Sequence, residues 1–501
     1  MDNIVLGIDI GTSSVKTIAV NQQGTVLSSV SEPLTVEHQQ SGYSEQQPDA
    51  WVTATKANIR KLVDDPSIDH TKIEGMSFSG QMHSLVLLDE DHCPLRNAIL
   101  WNDTRSTPQC ETIKAHLGDY VLDNPVLEGF TLTKMLWVQQ NEPDLWRKAS
   151  VFLLPKDYVR FALTGQLHME YADASSTLLL DPDTKTWDKS IGEQFGIHDI
   201  YPELVSSQQC VGTIKPNVAA ELGLNDHVAV FAGGGDNAAG AVGAGVIRNG
   251  EALCSIGTSG VFLICDDEHE TTYRRNIHLF QHSVDDMSYA MAVTLAAGDS
   301  LSWFKQTVLP DTSFSNIVEL ASQSTIGARG LVFTPYLSGE RTPHGDASIR
   351  GSFIGLSHLH TSADLARAVI EGITYSLYDA IEYIRSLGKD VSHIVSIGGG
   401  AKSEFWLQLQ ADVFNTRVSK LKYEEGPSMG AAMIAAKGVG WFDSIEACVD
   451  TWIEYAKTFT PNQANHDNYM RYFDIYQSVY AHTRPLTKQL LQLSTAQRAE
   501  V

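Results

Sequence analysis

The chain has 501 residues, of which 43% are hydrophobic and 19% charged, with a formal net charge of −24. At roughly 150 residues per domain this is material for two to four domains with large cores, which excludes a disordered or fibrous chain. The acidic balance argues against nucleic acid or an anionic membrane as partner, because both bind through basic patches; a polyanion held by backbone N–H groups and a divalent cation stays open.

Cys93, Cys110, Cys210, Cys254, Cys265 and Cys448 show neither C-x-x-C spacing nor a secreted disulfide framework. Met1-Asp2-Asn3 lacks the basic start and apolar run of a signal peptide. No apolar stretch nears the roughly 18 residues of a membrane span. The expectation is a soluble, cytoplasmic, multidomain protein.

The first 30 residues read as a β-meander: Ile4–Ile10, Thr17–Val20 and Thr25–Val30, with Gln22-Gln23-Gly24 as a turn. Pro48-Asp49 opens a helix on which Val52, Ile59, Leu62 and Val63 fall at helical spacing. A glycine-rich stretch runs from Gly233 to Gly245. The strand Ala252–Ile256, the turn Gly257-Thr258-Ser259-Gly260 and the strand Val261–Cys265 follow. Ile10-Gly11-Thr12-Ser13 and Ile256-Gly257-Thr258-Ser259 match at half a chain's separation, from a repeat or from chance. Thr361-x-x-Asp364 reads as a capping box for a helix whose apolar stripe includes Leu365, Ala368, Val369 and Ile373. A strand over Val391–Ile397, the run Gly398-Gly399-Gly400 and a helix capped by Ser403 come next, which indicates mixed α/β layers. From about residue 440 helical residues dominate.

Several residues could carry chemistry. Gly11, Thr12, Ser13 and Ser14 offer backbone and hydroxyl donors suited to phosphate oxygens, with Lys16 adding a cation and Gly257-Thr258-Ser259 forming a second clamp. Ordinary hairpin turns favour the same residues. Asp9, in an apolar strand, suits a water-bridged Mg²⁺ or a strand-end hydrogen bond. Between Val228 and Ile247 only Asp236 and Asn237 are polar. Such an isolated carboxylate suits a general base, or else a turn that bonds to its own backbone. Ser79-Gly80-Gln81-Met82-His83 and Trp101-Asn102-Asp103-Thr104-Arg105 could line a pocket for a hydroxylated substrate, or could serve the core. No G-x-x-x-x-G-K-[ST] motif is present.

Taken in order, Ile8–Ser13, Ala232–Gly240, Ser255–Gly260, Gly339–His344, Arg367–Tyr375 and Gly398–Ala401 resemble the FGGY carbohydrate kinases, over residues 4 to about 440. The resemblance implies an α/β, two-domain actin/hexokinase/Hsp70-like (ribonuclease H-like) fold with an interdomain cleft. It would comprise a sugar-binding and first phosphate-clamp domain (1–245), a nucleotide-binding domain (246–440) and a helical extension (441–501) packed on the second domain. Ser79–Ser84, Ile99–Arg105, Leu153–Tyr158, Tyr171–Ser175 and Phe231–Gly245 look most like the members that act on D-xylulose, whereas glycerol kinases carry Arg-Glu where Met82-His83 stands. The implied reaction is phosphoryl transfer from ATP, with Mg²⁺, to the terminal hydroxyl of D-xylulose.

The implied roles follow by position. Asp236 is the catalytic base and a metal neighbour. Asp9 holds the metal through water. Gly11, Thr12, Ser13, Ser14 and Lys16 form one phosphate clamp, and Gly257 and Thr258 the other. Gly298, Gly399, Gly400, Ala401 and Ser403 face the nucleotide. Met82, His83, Asp236 and Asn237 hold the sugar, with Trp101, Asn102 and Asp103 as neighbours. A homodimer through the second half follows by family analogy only. Open alternatives are a kinase of ribulose, gluconate or a signal sugar, and an actin- or Hsp70-like ATPase that moves a protein partner.

Overall fold

The computed structural model describes residues 3–267 and 272–499; Met1, Asp2 and the last two residues of the expected extension lie outside the described residues. The amino-terminal meander forms as β1 (Ile4–Ile10), β2 (Ser14–Asn21) and β3 (Val26–Pro33), and helix α1 (Pro48–Val63) begins at Pro48. After it come β4 (Ile73–Gly80), α2 (Pro155–Thr164), β5 (Cys210–Thr213), β6 (Ala229–Phe231) and α3 (Asp236–Gly243). The sheet order is β5-β6-β4-β1-β2-β3, with Gly234–Gly235 also pairing β4. Strand β1 lies in the middle, antiparallel to β2 and parallel to β4. Its near-continuous apolar run suits a strand covered on both faces.

The second half contains β7 (Glu251–Ile256), β8 (Gly260–Asp266), β9 (His278–Gln281), β10 (Ser288–Thr294), α4 (Gly298–Val308), α5 (Phe314–Ser322) and α6 (Ser362–Ser386). It continues with β11 (His393–Gly398), α7 (Glu404–Phe414), β12 (Arg417–Leu421) and α8 (Pro427–Gly438). Strand β7 is antiparallel to β8 and parallel to β11, as β1 is to β2 and β4. The Ile-Gly-Thr-Ser match therefore marks a structural repeat. The Asp364 carboxylate accepts from Thr361 N at 2.8 Å, which completes its half of the capping box on α6. Strand β11 begins two residues later than expected, and Ser403 caps α7 by accepting from Trp406 N.

Helix α8 of the second half lies across the first. A Cβ at Gly7 would collide with the Ser428 carbonyl oxygen, and one at Gly430 with that of Ala239 in α3. Bare backbone at these two glycines lets the halves approach.

The expectation for residues 441–501 needs two corrections. The segment is not all helical: between α9 (Ile445–Trp452) and α10 (Gln463–Ala499), β13 (Tyr455–Phe459) joins the second sheet, whose order is β9-β10-β8-β7-β11-β12-β13. Nor does all of it pack on the second domain. Trp441 Nε1 donates to Glu74 Oε2 at 2.7 Å and Trp452 Nε1 to Gln22 O at 3.0 Å. This part covers Val5, Ile18 and Val20, a face of the first sheet that would otherwise meet water. Tyr469, Phe473 and Tyr476 of α10 join the second core. Among the described residues no helix is long and apolar enough to cross a membrane, and all six cysteines are free thiols.

Candidate active site

Asp236 is the first residue of α3, delivered by the Gly233-Gly234-Gly235 run at the edge of β4. Gly235 N donates to Glu170 Oε1 at 3.2 Å. Glu170 belongs to a fully buried group in which Lys156 Nζ pairs with Asp157 (2.7 Å), Asp173 (2.8 Å) and Glu170 (3.2 Å). These charges hold the turn beneath Asp236. The Asp236 carboxylate accepts from the Asn237 side chain at 3.0 Å and from the Asn237 backbone, both donors belonging to one neighbouring residue. Burial, reinforced by the Asp9 charge, pushes its pKa up to about 7. Burial likewise pushes Asp9 up to about 6, with the Ser79 hydroxyl and the Lys16 charge opposing. Two neighbouring carboxylates with raised pKa values are poised to exchange protons near neutral pH.

Asp236 and Asn237 line a cavity of ≈ 390 Å³ together with Met82, His83, Trp101, Asn102 and Asp103 from the first half and Ser259, His278 and Arg341 from the second. His83 adopts φ 65, a left-handed conformation rare outside glycine, and strain of this kind concentrates at functional sites. His83 Nδ1 faces Ser176 O at 2.8 Å. That nitrogen must donate to a carbonyl, which leaves Nε2 as an acceptor. Burial drives the His83 pKa down to about 3, so the ring is neutral at physiological pH. Trp101, 43% exposed, is not a core residue; its Nε1 donates to Thr12 Oγ1 at 2.9 Å and ties the cavity to the first turn.

Asp103 was expected as a sugar neighbour. It borders the cavity, but its oxygens accept from Ser44 N, Arg105 N and the Arg105 guanidinium at 2.6–3.0 Å. A carboxylate so committed shapes the wall and has little left for a hydroxyl.

A second cavity, ≈ 510 Å³, is lined by Gly257, Thr258, Gly298, Gly399, Gly400 and Ser403, all expected at a nucleotide, and by Phe314, Val318 and Phe405, which sequence reasoning missed. Phe314 is 48% exposed in the first turn of α5. An aromatic at the start of an amphipathic helix was the signal for it. Ala401 corrects the expectation: it is 3% exposed, in the second core, and is not among the lining residues. The 3₁₀ turn Gly399–Lys402 buries it there.

Thr258 lines the larger cavity and its neighbour Ser259 the smaller, so the β7–β8 turn is the wall between them. Gly11, Thr12, Ser13, Ser14 and Lys16 are outside both linings. Gly11 N closes the first turn on Ser14 O at 3.0 Å, and Lys16 Nζ pairs with Glu425 at 2.7 Å.

Asp9 Oδ1 is buried with no hydrogen-bond partner. An orphan carboxylate oxygen beside a second carboxylate fits Mg²⁺, which takes one or two protein carboxylates and keeps water and phosphate oxygens for the rest. Among the described residues no cluster of three or more His, Cys, Asp or Glu could hold a metal ion.

Comparison with known proteins agrees in both halves. The model of the FGGY family of carbohydrate kinases, N-terminal domain, matches residues 4–243, and that of the C-terminal domain residues 252–439. The chain is 57% identical to a xylulose kinase of Staphylococcus epidermidis over 98% of its own length and 99% of the relative's. It is 52% identical to that of Bacillus subtilis over 97% and 98%. A crystal structure of a "xyloylose kinase" from Brucella ovis superposes with TM-score 0.92 at 32% identity, covering 97% of this chain and 100% of that one.

Proposed function

This chain belongs to the FGGY family of carbohydrate kinases, and we propose that it transfers the γ-phosphoryl group of ATP to the terminal hydroxyl of D-xylulose, giving D-xylulose 5-phosphate and ADP. The observation that carries the reading is the shared wall. A cavity holding the Asp236 carboxylate and a second, largely apolar cavity meet across Thr258 and Ser259, so an acceptor hydroxyl and a triphosphate tail would approach each other at one turn.

The ketose enters the smaller cavity. Asn237 and the His83 Nε2 acceptor engage its hydroxyls, and Trp101 covers its carbon chain. Asp236 takes the proton of the C5 hydroxyl as the O5–P bond forms and the bond from Pγ to the bridging oxygen breaks, releasing ADP. A base with a pKa of about 7 suits this step, because it is half ionised at neutral pH and the alcohol proton has somewhere to go. Backbone N–H groups of the Gly11 and Gly257 turns, with Thr12 and Thr258, hold phosphate oxygens, and Lys16 lends its charge once it leaves Glu425. Asp9, with Asp236 nearby, would hold Mg²⁺, which when bound would supply charge neutralisation to the phosphates. Phe314 and Phe405 offer flat apolar faces to the base.

A panel of ketoses, polyols and sugar acids in a coupled ADP-release assay tests the substrate. D-xylulose should give the highest kcat/KM; a preference for ribulose or gluconate would reassign it, and sugar-independent turnover would favour the protein-moving ATPase. In the same assay Asp236→Asn should lose ~10²–10⁴-fold in kcat while folding normally. A folded variant with normal turnover refutes Asp236 as the base.

A further inference from the structure

We infer that Arg341 and His278, both from the second half of the chain, read the carbonyl end of the acceptor: Arg341 donates to the C2 carbonyl oxygen and His278 exchanges hydrogen bonds with a neighbouring hydroxyl. The inference rests on the D-xylulose reading above and adds a specificity device to it.

The chemistry of the acceptor comes first. In a 2-ketopentose the hydroxyl on carbon 5 closes the furanose ring by adding to carbon 2. A sugar phosphorylated at carbon 5 must therefore be bound open, with its C2 carbonyl free. A carbonyl oxygen accepts hydrogen bonds and cannot donate, so its natural partner is a group that only donates. A hydroxyl does both, so its natural partner is a group that does both.

The cavity holds one group of each kind with no side-chain partner among the described residues. The backbone of Arg341 is locked by Glu340, whose Oε1 accepts from Arg341 N at 2.7 Å and Leu295 N at 3.1 Å, and whose Oε2 accepts from Thr294 Oγ1 at 2.6 Å. Glu340 is thus spent on main chain and hydroxyl. The Arg341 guanidinium is left on the cavity wall with no ion pair among the described residues. Guanidinium has five donors and no acceptor. His278 is 3% exposed, lines the same cavity, and neither of its ring nitrogens has a hydrogen-bond partner. Its ring lies among Phe130 and Phe280, with centroids at 5.6 and 5.5 Å. A neutral imidazole there has one donor and one acceptor, and leaving both unmet would be costly.

Position agrees with this division. Asp236, under the charge of Asp9, and Arg341, under those of Glu128 and Glu340, line the same cavity. A five-carbon chain with its C5 hydroxyl at Asp236 would extend its carbonyl toward Arg341.

The test compares D-xylulose with xylitol, which has the same chain but a hydroxyl at carbon 2, measured as substrate or competitive inhibitor. Wild-type enzyme that ignores D-xylulose defeats the substrate reading itself. If the wild type accepts it, Arg341→Met should raise KM for D-xylulose ~10–100-fold, the range of a hydrogen bond from a charged donor. The xylitol constant, whose C2 hydroxyl can also turn to another partner, should move by a clearly smaller factor, and the KM for ATP by less than about threefold. An equal loss for both sugars, or none, overturns the assignment of Arg341. If Arg341→Met fails to fold, Arg341→Lys, which keeps the charge and loses the fork, must shift the xylulose-to-xylitol ratio in the same direction. His278→Phe should weaken both compounds alike, by about tenfold, since both offer the hydroxyl. Unchanged binding of both overturns the assignment of His278.

Discussion

The β1–β2 and β7–β8 turns are the same device used twice, and they have divided the work. Aligned on Gly11 and Gly257, Asp9 falls where the second half has Ser255, and Lys16 falls where it has Phe262. The helices that cross between the halves differ likewise: α3 begins with Asp236, and its counterpart α8 begins with Pro427. At these equivalent positions the first half carries the acids, while the second lines the larger cavity with backbone and apolar side chains, Glu319 and Lys402 besides. A repeat that kept acids on both sides would set carboxylates against a triphosphate tail from two directions. Loading the acids on one side leaves the other free to receive it.

The sharpest way to break this comparison is to exchange equivalent positions. Asp9→Asn should lower kcat ~10²-fold or more, as expected when a carboxylate that places a metal is lost, whereas Ser255→Ala should change it less than about threefold. Equal effects would mean that the halves are not specialised. The same variant tests the coupling of the acids by pH. In the wild type, kcat/KM for the sugar should fall as pH drops through about 7, because the base must be ionised. The Asp9 charge raises the Asp236 pKa, so Asp9→Asn should move that midpoint to lower pH. A midpoint that stays put shows that the two do not interact.

A smaller effect is expected in stability. Asp236 has a folded pKa of about 7, above the unfolded 3.8, so the native state binds the proton more tightly. Stability therefore falls as pH rises from about 4 to 7, and above 7 the full cost of a buried charge is present. Asp236→Asn removes that cost. Its Tm should exceed wild type at pH 8, and the gain should vanish toward pH 4. A variant less stable than wild type at pH 8 would show that the carboxylate is engaged in ways the fold does not reveal.

What was legible in the sequence was local. The meander, the opening of α1 at Pro48, the cap on α6 and Ser403 at the start of α7 each depend on residues within a turn or two. Asp236 stood out because nothing else polar but Asn237 surrounds it in the chain. The misses were tertiary. Asp103 looked available until Arg105, two residues on, closed over it. Strand β13 forms because β12 offers it an edge, and α9 sits on the first half because Val5, Ile18 and Val20 need cover. His278 and Arg341 lie 195 and 258 residues from His83 and 63 from each other, so no spacing could unite them; only the closing of the second half onto the first does.

The smallest predicted effect concerns the one cation of the first turn. Lys16 Nζ meets Glu425 Oε2 at 2.7 Å and Glu425 O at 3.2 Å, so a residue placed for phosphate is held by an acid from the other half. Both side chains are partly exposed, at 32% and 24%, and a pair of that kind contributes only about 0.2–1 kcal/mol. Binding of ATP must spend that amount to free the lysine. Glu425→Gln should therefore lower the Kd for ATP by ~1.5–5-fold, measured without sugar, and the gain should shrink as salt screens the pair in the wild type. Lys16→Met should weaken ATP binding and cancel the benefit of Glu425→Gln in the double variant. If Glu425→Gln binds ATP no better at any ionic strength, the lysine stays with the backbone of residue 425 throughout, and the first turn holds phosphate with neutral donors alone.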